Sequence, residues 1–528
     1  MALVLPTYGR HLFVKKIPMT NQEKLPEQVV DDTDDDDTHN LLSKKAKDKE
    51  KDFQRKFAFV HSQLTLSRNK SGTVHATILT NNVLETMPLT SVRIGTKIKK
   101  IIRDKFGIRA TKQMIAELIE ELQDQADDAP LEVHEVHHRV ALGTKGQIFV
   151  DLQDQGNAVL EVDKNGYRHH DFATEAPLFI RTAGMTALPD PVGAVGNLDL
   201  LRGFLNYGTE GNWMLLIVFI LYSLRPLGPY VILVVLGTAG SSKSTFSRIL
   251  RLLIDPSSVP TQALPRAIGD LMITASNSHL LVFDNVRTLS VEMSDALCQL
   301  ATGGGSRTRT LYTNSEETLV HVTKPCILNG IDDVASQPDL VSRCLLMELP
   351  TITVRRTEED LNNNFAASID AIFAGLMDTL SKTLAELDNV TEVPENRMAD
   401  FARFGMAVER ALNWPKDSFK EAYAHNQQQQ MFNSLGDDPL AAAVRTLVTT
   451  EVTDGVTFTK TPTDLLAALR EVATHAQVSN KAWPMSPHSL SKRLKKMEPA
   501  LRACGVSITF QHSGNRTISV KRLENFKK

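Results

Sequence analysis

Residues 231–253 read VILVVLGTAGSSKSTFSRILRLL. An apolar run leads into two glycines, a Lys-Ser-Thr step and an amphipathic stretch with Phe246, Ile249, Leu250 and Leu253 on one face. A chain written this way has few options. The apolar run VILVVL fits a strand buried on both faces. Gly237 and Gly240 allow the sharp turn that follows. The periodic stretch predicts a helix from about Lys243, whose first N–H groups have no partner within the helix. Those N–H groups and the helix dipole turn toward the loop and make it an anion nest.

The stretch matches the phosphate-binding pattern G-x-x-x-x-G-K-[ST] except at Ser242, which replaces the second glycine. A serine at a helix start with negative φ would fit without strain, so the replacement is expected to cost little. Gly237, Thr238, Ala239, Gly240, Ser241, Ser242, Lys243, Ser244 and Thr245 then cradle a triphosphate. Lys243 reaches the β- and γ-phosphates of ATP, and the Ser244 hydroxyl faces Mg²⁺.

Three later segments supply what such a loop needs. HLLVFDN (279–285) reads as a buried strand ending in Asp284, a carboxylate placed to hold magnesium's water shell. Asn285 follows it, an amide that orients water but accepts no proton. KPCILNGID (324–332) reads as another strand, ending in Asn329, which is placed to sense the γ-phosphate and position water. DLVSRCLLMELP (339–350) puts Arg343 just before a strand, where an arginine can stabilise charge on a neighbouring subunit's nucleotide.

The segment SDALCQLATGGGSRTRTLYTNSEETLVHVTKPCILNGI (294–331) resembles the corresponding part of superfamily 3 helicases, within the AAA+ ATPases. Residues 198–350 are similar to phage and mobile-element proteins of the primase–helicase type. The resemblance implies a homo-hexameric ring acting on single-stranded or forked DNA, with a primase or replication initiator as partner. It also implies a β-hairpin over 310–323 that grips DNA. Its tip, Asn314-Ser315-Glu316-Glu317, is acidic, so Arg307, Arg309, His321 and Lys324 on the flanks are the candidate contacts.

At 528 residues the chain is too long for one core. Residues 1–56 are charged and are expected to remain unordered. Residues 57–190 read as an α+β domain with strands at 73–80, 146–154 and 157–163. Residues 198–355 alternate strand and helix, as in an α/β domain with a largely parallel sheet. Residues 357–435 are wholly helical, a lid in which Arg397 and Arg403 are the two candidates to reach the nucleotide. The QQQQ run at 427–430 is too short to carry a reading. Residues 439–528 form a further unit. Its helix carries Leu490, Leu494, Met497 and Leu501 on one face and Lys492, Arg493 and Lys496 largely on the other. A hairpin follows, turning at His512-Ser513-Gly514-Asn515, and the whole resembles a winged helix that binds DNA. From Lys481 to Lys528, 11 Lys/Arg face 2 Asp/Glu, a local surplus that suits phosphates.

The bulk numbers exclude other classes. Apolar residues make up 42% and charged residues 23%, as in a globular protein. The longest apolar run, residues 213–224, is short of the ~20 residues of a membrane span, so a buried helix is expected. Four scattered cysteines make neither a disulfide framework nor a zinc site, which suggests a reducing cytoplasm. No signal-peptide pattern opens the chain.

The fold expected is therefore α/β: a P-loop AAA+ ATPase core with an N-terminal α+β domain, a helical lid and a C-terminal winged-helix-like domain. The function expected is an ATP-dependent DNA helicase or translocase in the replication of a phage or mobile element. The alternative is a slow-hydrolysing ATP- and DNA-binding switch without unwinding activity, such as an initiator, loader or regulator.

Overall fold

The computed structural model describes residues 37–528, apart from 81–82, 129–130, 155, 157, 172–176, 183, 304, 310–316, 331–336, 353–354, 393, 437, 452–456, 512–515 and 524–528. The hairpin tip residues Asn314, Ser315 and Glu316 and the turn at 512–515 lie outside the described residues. The chain divides into two units. One takes residues 1–162, 167–188 and 309–319, and the other takes 163–166, 189–308 and 320–528.

The first unit opens with helix α1 (Asp37–Ser62), so the charged segment expected to stay unordered through residue 56 is helical from Asp37. The reason is a short stripe hidden among the charges. Phe57 and Val60 are buried and Phe53 packs on the same cluster, at helical spacing. Strands β1 (Leu64–Arg68), β2 (Val74–Thr80) and β3 (Val83–Pro88) form an antiparallel meander. Helix α2 (Val92–Phe106) is capped by Ser91, whose Oγ accepts from the Ile94 N–H, and ends at Gly107, where φ is +67°. Ile94, Ile98 and Ile102 of α2 share a core with Ile115, Leu118 and Leu122 of α3 (Lys112–Asp128). Strands β4 (Val136–His137), β5 (Val140–Leu142), β6 (Ile148–Asp151), β7 (Val159–Asp163), β8 (Gly166–His169) and β9 (Leu178–Phe179) complete this part, with β5-β6-β7-β8 as one sheet.

The second unit begins with α4 (Glu210–Ser223), buried along nearly its whole length, as the uncharged run predicts. Then come β10 (Ile232–Leu236), α5 (Lys243–Ile254), α6 (Ile268–Ser276), β11 (Leu281–Val286), α7 (Val291–Thr302), the pair β12 (Gly305–Arg309) and β13 (Glu317–His321), β14 (Cys326–Gly330), α8 (Pro338–Val341) and β15 (Cys344–Glu348). The sheet runs β11-β14-β10-β15 and is parallel throughout. Both faces are covered, which is why its strands read as unbroken apolar runs.

A helical set follows: α9 (Glu358–Glu386), α10 (Ala399–Ala411) and α11 (Ser418–Gly436). The glutamine run is not idle. β15 is an edge strand, and its unpaired backbone groups need partners. Asn426 on α11 supplies them: its Oδ1 accepts from the Leu346 N–H at 3.0 Å and its Nδ2 donates to the Leu346 carbonyl at 2.6 Å. One turn later Gln430 donates to the Cys344 carbonyl at 2.9 Å and to Asn426 Oδ1 at 2.8 Å. A helix thus closes a sheet edge with side-chain amides spaced i, i+4.

The last part holds α12 (Pro439–Glu451), β16 (Thr457–Lys460), α13 (Pro462–Val472), α14 (His475–Val478), α15 (Pro487–Ala503), β17 (Val506–Gln511) and β18 (Thr517–Arg522). Its sheet, β16-β18-β17, is antiparallel. Leu490, Leu494 and Leu501 of α15 pack into a core of their own with Leu440, Leu465 and Val520. Ser486 caps α15, its side chain accepting from the Ser489 N–H, and Pro487 occupies the first turn. Among the described residues no helix is long and apolar enough to cross a membrane, and the four cysteines are free and buried.

Asn426→Ala removes both partners of Leu346. Each orphaned buried group costs about 1–3 kcal/mol, so the denaturant midpoint of this unit should fall clearly, with little change for Asn426→Gln only if the longer amide keeps both bonds.

Candidate functional site

The loop after β10 emerges between β14 and β15, at the carboxyl edge of the parallel sheet, where open α/β sheets place ligands. Register sets the neighbours. Val235 stands opposite Asn329, and Phe283 stands opposite Leu328, so Asp284 follows at the level of Asn329. Beyond Phe283 the ladder shifts, and Asn285 takes the left-handed conformation with φ +54°. Its N–H donates to Asp284 Oδ1 at 2.9 Å.

Asn329 joins the pieces. It is 1% exposed. Its Oδ1 accepts from Ser247 Oγ on α5 at 2.7 Å. Its Nδ2 donates to Asp284 Oδ1 at 3.3 Å and to the Lys243 carbonyl at 3.4 Å. Lys243, Asp284 and Asn329, read from three separate segments, therefore meet at one buried amide.

The loop itself is tightly folded. A Cβ on Gly237 would stand 2.4 Å from Ser241 Oγ and 3.0 Å from the Leu349 carbonyl, so only glycine fits. Ser241 is fully buried. The Lys243 ammonium donates to the loop carbonyls of Gly237 at 2.5 Å and Thr238 at 3.0 Å. Ser244 is exposed in the first turn of α5. Thr245 Oγ1 accepts from Arg248, whose guanidinium also pairs with Glu358 at 2.5 Å.

Ser242 departs from expectation. Its φ and ψ are +64° and 31°, not the negative φ of a helical start. This is the left-handed conformation for which glycine is preferred, and a residue with a Cβ pays roughly 1–2 kcal/mol there.

A cleft of about 550 Å³ opens beside the loop, lined by Phe204, Leu205 and Asn206 on one side and Thr351, Ile352, Arg355, Arg356 and Leu361 on another. Asn206 Nδ2 donates to the Ser241 and Pro350 carbonyls, fixing this wall to the loop. The Arg355 guanidinium lies 3.3 Å from where a Gly240 side chain would begin. Arg356 donates to the Gly203 carbonyl at 3.3 Å. Neither arginine was singled out from the sequence. The only signal for them was two adjacent cations just past an apolar strand.

The expected lid arginines are elsewhere. Arg403 donates to the Val390 and Leu387 carbonyls, and Arg397 pairs with Asp339 at 2.9 Å. Asp339 also pairs with Arg343 at 2.6 Å, and the Arg343 hydrogen bond holds its carboxyl below the usual range. Arg343 precedes Cys344, which aligns with Ile232 at the opposite end of β10 from the loop. It is therefore remote from its own chain's Lys243.

The DNA candidates divide. Arg307 and Arg309 lie on β12 and His321 on β13, with side chains outside the described residues. Lys324 lies beyond the hairpin at the amino edge of β14, its N–H on the Leu300 carbonyl. Burial pushes its ammonium down to about 8, opposed by the Asp255 carboxylate. The residue itself is partly exposed. On α15, Lys492 and Lys496 are exposed, whereas Arg493 pairs with Asp438 and tethers the helix.

Asp284 and Ser244 suit a divalent cation of the magnesium type: hard oxygen donors at one sheet edge, with both hydrogen bonds to the carboxylate falling on Oδ1. No cluster of three or more metal-ligating side chains occurs among the described residues.

This mixed α/β molecule can be placed by comparison. Residues 198–422 match the family described as actinomycete integrative conjugative element replication protein, and residues 440–527 match the AICE RepA C-terminal domain. Together the matches span more than half of the chain, which belongs to this family of replication proteins. No curated protein matches it. Among solved structures, "SCCmec type IV Cch - active helicase" is 12% identical, with 87% of this chain and 93% of that chain covered at a TM-score of 0.43. The apo C-terminal region of NrS-1 is 8% identical, with 88% and 98% covered at a TM-score of 0.40. Likeness at that level assigns no activity.

Ser242→Gly should release the left-handed strain and raise the unfolding midpoint by the equivalent of about 1 kcal/mol. A drop in the midpoint would show that the serine side chain earns its place.

Proposed function

We propose that the chain is an ATP-driven motor of the superfamily 3, AAA+ type, acting on DNA in the replication of an integrative conjugative element. The observation that carries this reading is the Asn329 amide. It bonds both the carbonyl of Lys243 and the carboxylate of Asp284, so the two halves of a triphosphate site share one crevice.

In this reading the N–H groups of residues 237–245 bind the phosphates of ATP. Lys243 exchanges the Gly237 and Thr238 carbonyls for β- and γ-phosphate oxygens. Ser244 and Asp284 would hold Mg²⁺, which supplies charge neutralisation on the phosphates when bound. The Asn329 Nδ2 bonds of 3.3 and 3.4 Å are long, so its NH₂ can turn toward an attacking water at small cost. Asn285 orients water but cannot take its proton, which makes slow turnover the expected resting state. Arg355 adds a second cation from the same chain, beside Gly240. Arg343, at the far edge, acts on a neighbouring subunit's nucleotide in a homo-hexameric ring, once Asp339 releases it.

DNA contact falls to Arg307, Arg309 and His321 on the β12–β13 hairpin and to Lys492 and Lys496 on α15. The order α12, β16, α13, α15, β17, β18 with a three-stranded antiparallel sheet supports a winged helix, in which α15 enters the groove. A primase or initiator is the natural partner.

Lys243→Ala and Asp284→Asn should each lower steady-state ATP hydrolysis on the order of 100-fold or more. Single-stranded DNA should stimulate the wild type, and a forked duplex should be unwound. An unchanged rate in Lys243→Ala removes the ATP assignment, and stimulated turnover with no strand displacement replaces the helicase by a switch. Arg355→Ala should raise KM for ATP about tenfold, the equivalent of 1.4 kcal/mol, while Arg403→Ala leaves it unchanged.

A further inference from the structure

Helix α2 lies in the first unit, outside both matched segments. It carries Arg93, Lys97, Lys99, Lys100, Arg103 and Lys105 against a single acid, Asp104. Some of this charge is balanced within the fold. Glu85 pairs with Lys97 at 2.5 Å and Arg93 at 3.8 Å, and Asp104 pairs with Arg103 at 3.4 Å. Among the described residues, Lys99, Lys100 and Lys105 take part in no ion pair, and all three are exposed.

A plain solvated face would be convex and polar. This one has a hollow with an apolar floor. A cleft of about 420 Å³ has Ile78, Leu79 and Ile101 in its lining, with Lys100 and Lys105 beside the one acid, Asp104, which Arg103 pairs. Leu79 is 55% exposed at its rim. Phe59 and Phe106 meet edge to face at 5.6 Å. Cations flank both rings: the Lys105 ammonium lies 5.0 Å from the Phe59 centroid, and the Arg55 guanidinium lies 5.7 Å from that of Phe106. Leu79 of β2 thus stays open beside two lysines of α2 that have no ion pair, and the surface presents two complementary needs: an anion, and a flat apolar partner.

The structure assigns this groove to single-stranded DNA. An unpaired strand supplies both features at once, phosphates for Lys100 and Lys105 and a base face for the exposed Leu79 surface. A duplex buries its base faces in the stack and meets only the charge. A replication protein encounters single strands as its working material. This site is separate from the nucleotide crevice and from α15, and it needs no ATP.

The test uses the full chain without nucleotide and a fluorescein-labelled oligothymidylate, titrated from about 50 to 200 mM KCl. The variants are Lys100→Ala/Lys105→Ala and, separately, Leu79→Ser, with Lys492→Ala/Lys496→Ala in parallel. The double lysine variant should weaken binding five- to twenty-fold at low salt and reduce the slope of log K against log salt by about 1.4, at ~0.7 per phosphate contact on a single strand. Leu79→Ser should weaken binding without changing the slope. Unchanged affinity and slope in the double variant overturn the site. Equal loss on a duplex of the same length overturns the single-strand assignment. Thermal melting and circular dichroism confirm that each variant is folded, which these surface positions allow.

Discussion

One buried amide organises the crevice at the carboxyl edge of the parallel sheet. Asn329 sits at the carboxyl end of β14 with Asp284 on one side and the start of α5 on the other, and it bonds to both. A buried polar group must find partners or forfeit about 1–3 kcal/mol, so the requirement runs both ways. The amide holds α5 in register with the sheet, and the sheet edge holds the amide. Residues 237–245 can then be a nest instead of a floppy turn, because the helix that begins the nest is pinned from the strand beside it. The Ser247 hydroxyl, in the second turn of α5, makes the shortest of these bonds at 2.7 Å.

The same logic recurs at the other side of the sheet. There the outer edge of β15 has no strand neighbour, and Asn426 and Gln430 of α11 supply its hydrogen-bond partners. Side-chain amides copy the donor and acceptor pair of a peptide group, so a helix can complete a ladder it could not otherwise join. The consequence reaches the site. β15 leads directly into 349–356, which brings the Leu349 carbonyl against the loop and Arg355 beside Gly240. Movement of α11 would therefore be felt at the nucleotide through a single strand.

What the sequence made legible follows a physical division. The strand, turn and helix of 231–253 were readable because glycine, lysine and a periodic apolar face each have one dominant local consequence. Asp284 and Asn329 were readable as polar residues closing apolar runs. The backbone state of Ser242 was not, because left-handed φ is imposed by the turn and not by serine. Asn426 and Gln430 were invisible because their partners lie about 80 residues earlier, on a strand whose edge position only the topology reveals. Arg355 belongs to an irregular stretch with no periodicity to interpret. The α1 helix was hidden by composition: charges outnumber the three apolar residues that anchor it. Arg397 and Arg403 had the right chemistry on a helical segment, but Asp339 and the carbonyls of 387 and 390 claim them.

The arrangement of cations then bears on how such a chain would couple nucleotide to DNA. Arg355 faces the loop of its own chain, while Arg343 is held by Asp339 at the opposite edge of the same sheet, beside Arg397 from the helical set. Two arginines sharing one carboxylate leave the cluster with one positive charge in excess. A polyanion presented by a neighbouring copy changes that balance, because a guanidinium exchanges one carboxylate for a more highly charged phosphate group. In the proposed ring this edge would meet a second subunit, and it is tied through Arg397 to the helical set, whose α11 also closes β15. If the proposed motor reading holds, nucleotide state and subunit contact converge on one strand, β15.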